Sequence, residues 1–472
     1  MSKKEKERGI LKMRREEKGI TLVALIITIV VMLILVAVSI NVLVNSNLIG
    51  HAEKTGDAYA GAIKNEEKLG NDGITINDKE YASIDDYIES RKPLPEGAGK
   101  RAEKTKEYSD GTKTAWIPEG FTVSGIREET TIDGGLVIYD IPKGTTVDWT
   151  NPDNVKTAYN QFVWIPVEVN KTTDPVDTET NIAAFKRSDW TANAETGGER
   201  TIRLDSKYTE PYSYDKTNDF DASTGIKEQI DELTKSIYKY GGFYIGRYEA
   251  GVKPADDGTA TPRTSSSDSQ TADCVVQQDK YPYNYIKWGK SMSNVSEGAV
   301  FVSNKLYNDK EGYGAKSMLC TGACWDSMLD FVKDSKHSVT DSTTWGNYYN
   351  SGAYKVYRGS LYSKIDTTLS WNPADKTNGS EVAKNKSVLL TTGATEERNA
   401  AKNIYDIAGN VREWTTESSS SDGRVGRGRL LLQLWFSLSS KRSQLLLSDE
   451  QRRPRRVSFS TLRIAVGLQA IQ

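Results

Sequence analysis

From Ile20 to Val44 the chain runs 25 residues without a formal charge, and no other stretch narrows its folding options so sharply. As a helix rising about 1.5 Å per residue, such a run would cross the ~30 Å hydrocarbon core of a bilayer with some tilt. It is too long for a signal-peptide core, and no small-residue cleavage site follows it. The 19 residues before it carry eight Lys or Arg against four Glu. Positive charge stays inside, so the sequence predicts a cytoplasmic leader over 1–19, a transmembrane helix over 20–44 and everything after Val44 outside. The expectation is a single-pass protein of the cell membrane, with the membrane as one partner and an extracellular C-terminal domain.

The segment Lys18-Gly19-Ile20-Thr21-Leu22-Val23 resembles a type IV prepilin junction. The resemblance implies processing between Gly19 and Ile20 and entry of the apolar helix into a pilus-like assembly. Pilins carry Glu five residues after the cut, where this chain has Ala24. Without that acid, a simple anchor or a minor pilin-like subunit is expected rather than a major pilin. An ordinary transmembrane helix that happens to follow Gly remains the alternative.

A chain of 472 residues has room for two or three domains. Its net charge of −2 and pI near 6.0 provide no basic field to neutralise phosphates, which argues against nucleic acid as a partner. With 24 Tyr and 10 Trp against 9 Phe, many aromatics are expected to keep a polar tip near water, as suits loop-rich folds and binding surfaces. The two histidines, His51 and His337, have no metal-site spacing. Of the three cysteines, Cys274 stands alone, while Cys320 and Cys324 lie four apart, a spacing that would share one helix face and reads as small buried thiols.

Residues 45–115 read as a polar helix continuing the anchor and then a stalk, with a short helix at 83–90. Strand signals begin at Trp116. Runs at 121–123, 135–140 and 161–167 are short, rich in β-branched and aromatic residues, and bounded by Gly and Pro. A polar insert over about 170–225 separates them from a helix predicted at 226–238, whose apolar positions include Leu233 and Ile237 and which leads into the strand-like Gly242–Glu249.

The candidate site lies in Ile404-Tyr405-Asp406-Ile407-Ala408-Gly409-Asn410-Val411-Arg412-Glu413-Trp414-Thr415. Gly409-Asn410 offers a tight turn bracketed by two carboxylates, Asp406 and Glu413, with Tyr405, Val411 and Trp414 available for packing. Carboxylates on either side of a turn can converge with its carbonyls on a hard cation such as calcium. The plainer alternative is a buried turn whose acids cap backbone N–H groups.

This segment resembles the YD-x-x-GNV-x-EWT signature of the formylglycine-generating (sulfatase-modifying factor) family, whose fold is an elaborated C-type lectin fold. Four further segments match in order: Phe162-Val163-Trp164-Ile165-Pro166, Gly242–Glu249, the run Pro282, Asn284, Trp288, and more loosely Leu319–Asp326 with its Trp325-Asp326 pair. The resemblance covers 116–415 and implies an α+β architecture for 116–472, with many short strands and few helices after the N-terminal transmembrane helix. It also implies a structural calcium ion held by the side chains of Asp406 and Glu413 and the carbonyls of Gly409 and Val411. Members that oxidise a substrate cysteine carry a cysteine pair downstream of the signature, often with copper. Here no cysteine follows Cys324, so no copper and no catalytic residue is expected.

After Gly428 the composition shifts to Leu, Ser, Arg and Gln. The family continues there with Tyr, Asn, Ser and Gly. Leu431–Ser437 can be encoded so that a one-base shift reads Tyr-Tyr-Asn-Ser-Gly-Ser, which marks 429–460 as a candidate frameshift. Thr461–Val466 again resembles the family's terminal strand. The alternative is a genuine basic amphipathic tail. In lectin-fold proteins diversified by retroelements, this place carries the variable ligand-binding residues. The expectation is therefore a membrane-anchored, cell-surface binding protein for an extracellular protein or glycan, on a catalytically inactive scaffold. A sulfatase-modifying-factor-type oxidoreductase and a minor pilin-like subunit are the alternatives.

Overall fold

The computed structural model describes residues 27–33, 74–76, 79–167, 225–428 apart from short gaps, 443–446 and 460–468. The chain divides into two compact units, Met1–Pro93 and Leu94–Gln472. In the first, Ile74–Ile76 pairs antiparallel with Lys79–Tyr81, and a helix over Ile84–Arg91 follows, with the Tyr81 and Tyr87 rings edge to face at 5.2 Å.

The transmembrane helix expected from the sequence is not among the described helices. Among the described residues no helix is long and apolar enough to cross a membrane. Of the 20–44 run, only 27–33 is described, as helix. The absence of such a helix among the described residues overturns both the transmembrane helix and the single-pass cell-surface placement that rested on it. Gly19 and Ile20, the expected processing site, lie outside the described residues.

The second unit begins at Leu94 and takes in residues read from the sequence as stalk. Lys106–Ser109 pairs with Thr114–Ile117, burying Tyr108, Ala115 and Ile117, and Ala102 is buried as well. A six-stranded antiparallel sheet forms the centre. Its strands are β1 (Thr122–Val123), β2 (Val137–Tyr139), β3 (Gln161–Pro166), β4 (Gly242–Gly246), β5 (Ala315–Leu319) and β13 (Ile464–Leu468), in the spatial order β5-β13-β4-β3-β2-β1. β13 therefore sits between two strands that precede it by far in sequence.

Two helices brace this sheet. α1 (Ile226–Tyr240) lies against β4 and β13 and buries Ile226, Ile230, Leu233 and Ile237, the apolar positions of one helical face. α2 (Gly322–Val332) begins at Thr321, whose Oγ1 accepts from the Cys324 N–H at 3.0 Å. Cys320 thus precedes the helix, and the shared helical face expected for Cys320 and Cys324 does not form, although both thiols are buried.

Smaller sheets carry the rest. β6 (Ser360–Ile365) pairs with β7 (Thr368–Pro373) and with β8 (Leu389–Leu390). β9 (Arg412–Ser420), β10 (Gly423–Arg427), β11 (Ser443–Leu446) and β12 (Ser460–Leu462) form a second sheet in the order β11-β10-β9-β12, with β9 and β12 parallel. The described architecture is mostly small antiparallel sheets with few helices, which corrects the α+β description. The physical reason lies in the runs themselves: short β-branched and aromatic stretches, cut by Gly and Pro, are too short for helices of several turns. The anomalous segment 429–460 lies outside the described residues except for β11 and Ser460.

Candidate functional site

The signature makes its tight turn by backbone geometry. Asp406, Gly409 and Asn410 all take positive φ, 58°, 108° and 59°. At Gly409 a Cβ would fall 2.1 Å from the Asn347 carbonyl oxygen, so only glycine fits. Asn347 and Gly409 form a parallel bridge, with the Asn347 N–H donating to Ala408 and the Asn410 N–H to Asn347, each at 2.8 Å.

Asn410 then ties the turn to two further segments. Its Oδ1 accepts from the Leu390 N–H at 2.9 Å, and its Nδ2 donates to the Leu390 carbonyl at 3.0 Å and to the Glu249 carboxylate. β8 is thereby tied to the turn. Through β8 the turn also positions the β6–β7 hairpin, where Tyr362 lies opposite both Leu389 and Trp371. Trp371 packs on the pair Val411 and Leu389. Around it Tyr281 and Tyr362 stand at 4.8 and 5.5 Å between ring centroids, and Tyr362 is 36 % exposed. The turn thus underpins a half-exposed aromatic surface.

One acid of the signature, Glu413, takes a buried guanidinium. Arg463, at the β12–β13 junction, donates from Nε to Glu413 Oε2 at 2.7 Å and from Nη2 to Oε1 at 2.8 Å, a two-pronged pair. Its remaining donors reach the carbonyls of Gly246 at 2.9 Å and Tyr405 at 2.8 Å. Asp406 Oδ2 accepts from the Gly393 N–H at 2.8 Å. Burial pushes the Asp406 carboxyl up to about 7, against the pull of the Gly393 N–H and Arg463 and with a further push from Glu413. Burial also raises Glu413, which Arg463 opposes, and raises Glu249, which the charges of Asp406 and Glu413 push further.

Of the four residues expected to hold calcium, the two acids are engaged otherwise. Both Glu413 oxygens already face a cation, and Asp406 caps a backbone N–H. Among the described residues no group of three or more His, Cys, Asp or Glu side chains is placed to hold a metal ion. With Glu413 committed to Arg463, this set does not fit the ion as a four-ligand site. In this turn Asp406 caps a backbone N–H, while Glu413 takes a guanidinium rather than a backbone donor.

Sequence reasoning gave no site role to Glu249, Asn347, Asn410 or Arg463. Arg463 left a signal, a lone cation inside the apolar Thr461–Leu468 run. A second buried pair lies further along β9, where Arg427 reaches Glu417 through Nε at 2.6 Å and Nη2 at 3.0 Å and Asp326 through Nη1 at 3.2 Å. Asp326 is the acid of the Trp325-Asp326 pair read in the sequence.

No protein-family model matches this chain, and searches of curated proteins and of solved structures find no match either.

Proposed function

We propose that this chain is a non-catalytic ligand-binding module, built on a scaffold like that of the formylglycine-generating family, with a protein or glycan as its ligand. The observation that carries the reading is the coupling of the signature to an aromatic surface. Asn410 holds β8, β8 holds the β6–β7 hairpin, and Trp371 rests on Val411 beside Tyr281 and Tyr362. Partly exposed Tyr and Trp rings give large, rigid contact area at little entropic cost.

The cysteines support the non-catalytic side. Cys274, Cys320 and Cys324 are unbridged and buried. Burial pushes the Cys274 thiol up to about 12 and raises Cys320 well above its ordinary value. Thiols held protonated are poor nucleophiles and poor metal ligands.

The test uses the full chain on glycan and protein arrays, beside Trp371→Ala and Tyr362→Ala. Specific binding that falls at least about tenfold in both variants is expected, since rings at the centre of a contact surface dominate its energy. Oxidation of a cysteine-containing peptide by the wild-type chain, with or without added copper, would overturn the reading in favour of an enzyme. Binding unchanged in both variants would remove the aromatic surface from it.

A further inference from the structure

Among the described residues, four buried arginines of the second unit meet acceptors. Arg247 pairs with Glu129 at 2.7 Å, Arg427 with Glu417 and Asp326, and Arg463 with Glu413. Arg263 donates to the carbonyls of Asn284 and Ser269, both at 2.6 Å. Arg412 is 5 % exposed, its Nε is buried without an acceptor, and among the described residues it has neither ion pair nor hydrogen-bond acceptor.

The alternation of β9 explains how this arises. Glu413, Thr415 and Glu417 point to one face, where Arg463 and Arg427 meet the acids. Arg412 points to the other face with Trp414. Across the ladder Trp414 lies opposite Gly426, and a Cβ on Gly426 would fall 2.5 Å from Arg412 Cδ. Glycine at 426 is therefore what lets the Arg412 stem lie across β10. Two residues along the same face, Arg424 stacks on Trp288, its guanidinium 4.1 Å from the ring centroid. This face holds two cations, and none of the acids of β9 point to it.

An aspartate or lysine in such a place could shed its charge, but a guanidinium cannot. Burial lowers Arg412 only to about 10, so it stays charged at neutral pH. An unpaired buried charge is among the most costly features a fold can keep. A methionine would fill the same volume without that cost, so the charge calls for a partner that the described residues do not supply.

We propose that Arg412 is the anchor of an oxyanion-binding site, taking a carboxylate or phosphoryl group of a ligand through its planar donor fork, on the β9–β10 face shared with Arg424. The site stands on Arg412's own surroundings and goes beyond the aromatic-surface reading, with which it shares no residue.

The test is equilibrium dialysis of labelled inorganic phosphate and, separately, labelled acetate against the full chain and Arg412→Met, at constant ionic strength in chloride. Wild type is expected to show one saturable site for at least one anion, and the variant at least about a tenfold loss of affinity, the worth of one charge-assisted contact. Preference for phosphate assigns a phosphoryl ligand, and preference for acetate a carboxylate. In chloride buffer without phosphate or carboxylate, Arg412→Met should unfold at a midpoint no lower than wild type, because a charge without a partner has been removed; this also shows that the variant is folded. No saturable binding by wild type, binding retained in Arg412→Met, or a lowered midpoint of that variant would each overturn the proposal.

Discussion

Replacing Arg463 by methionine should be among the most damaging single changes available to this fold. The guanidinium is fully buried and makes four hydrogen bonds, two to Glu413 at 2.7 and 2.8 Å and two to the carbonyls of Gly246 and Tyr405 at 2.9 and 2.8 Å. Its loss strands the Glu413 carboxylate, a cost of about 3–5 kcal/mol for a broken buried pair. Each carbonyl that loses its donor adds about 1 kcal/mol. A loss of about 5 kcal/mol rivals the whole stability of many domains, ~5–15 kcal/mol. Urea unfolding followed by tryptophan fluorescence measures it, with the slope checked for constancy.

Two controls make that reasoning refutable. Glu413→Gln combined with Arg463→Met removes both charges, and it should recover at least about 2 kcal/mol relative to Arg463→Met alone. Burial already raises the Glu413 carboxyl and Arg463 holds it down, so without Arg463 its folded value climbs further. A raised acid contributes stability at low pH that is lost as pH rises, so the single variant should fall further behind wild type at pH 8 than at pH 5. A cost below about 1 kcal/mol, or a double variant no better than the single, would show that the Arg463–Glu413 pair does not hold β13 in place.

Three other outcomes follow from the same packing. Burial favours the neutral form of Glu129, but Arg247, Lys156 and hydrogen bonds from Tyr139 and Ser124 outweigh it and hold the carboxyl below its ordinary value of 4.5. Its contribution is present above that value and lost as pH falls through the folded one, so Glu129→Gln should destabilise at neutral pH and flatten the acid limb of a stability profile. Gly409→Ala should cost about 2 kcal/mol or more in chemical denaturation, because the added Cβ meets the Asn347 carbonyl at 2.1 Å with φ at +108°. Calcium added to chelator-treated protein should leave the thermal midpoint in place while Glu413 stays on Arg463; a saturable rise would show that Glu413 exchanges the guanidinium for the ion.

The strands at 122–123, 137–139, 161–166 and 242–246 were legible because each is a short β-branched and aromatic run stopped by Gly or Pro. α1 was legible from its periodicity. The start of the second unit at Leu94 was not, since Ala102 and Tyr108 are isolated apolar residues among Lys, Glu and Gly, and only the finished sheet shows what they cover. The misplaced helix face of Cys320 and Cys324 had a local answer in Thr321, an N-cap residue that sets the helix start after Cys320. In the signature, the turn and the two acids could be read, but their partners could not. Glu413 meets a guanidinium 50 residues away and Asn410 a carboxylate 161 residues away, pairings fixed by sheet order rather than by any local pattern. Alternation along Arg412-Glu413-Trp414 sets these neighbours on opposite faces, yet which face holds the acids depends on where β10 and β12 lie.

The central place of β13 bears on how the chain reaches this state. A ribosome releases β4 and β5 long before their shared neighbour exists, and the contact between Gly246 and Arg463 closes a separation of 217 residues. Until then two inner strand edges have no partner, and edges of that kind recruit strands from other molecules. Closure over such distances is slow. Newly made chains should therefore lean on chaperones and aggregate readily when synthesis outpaces them, and interruption of translation before codon 464 would leave the central sheet split where β13 belongs.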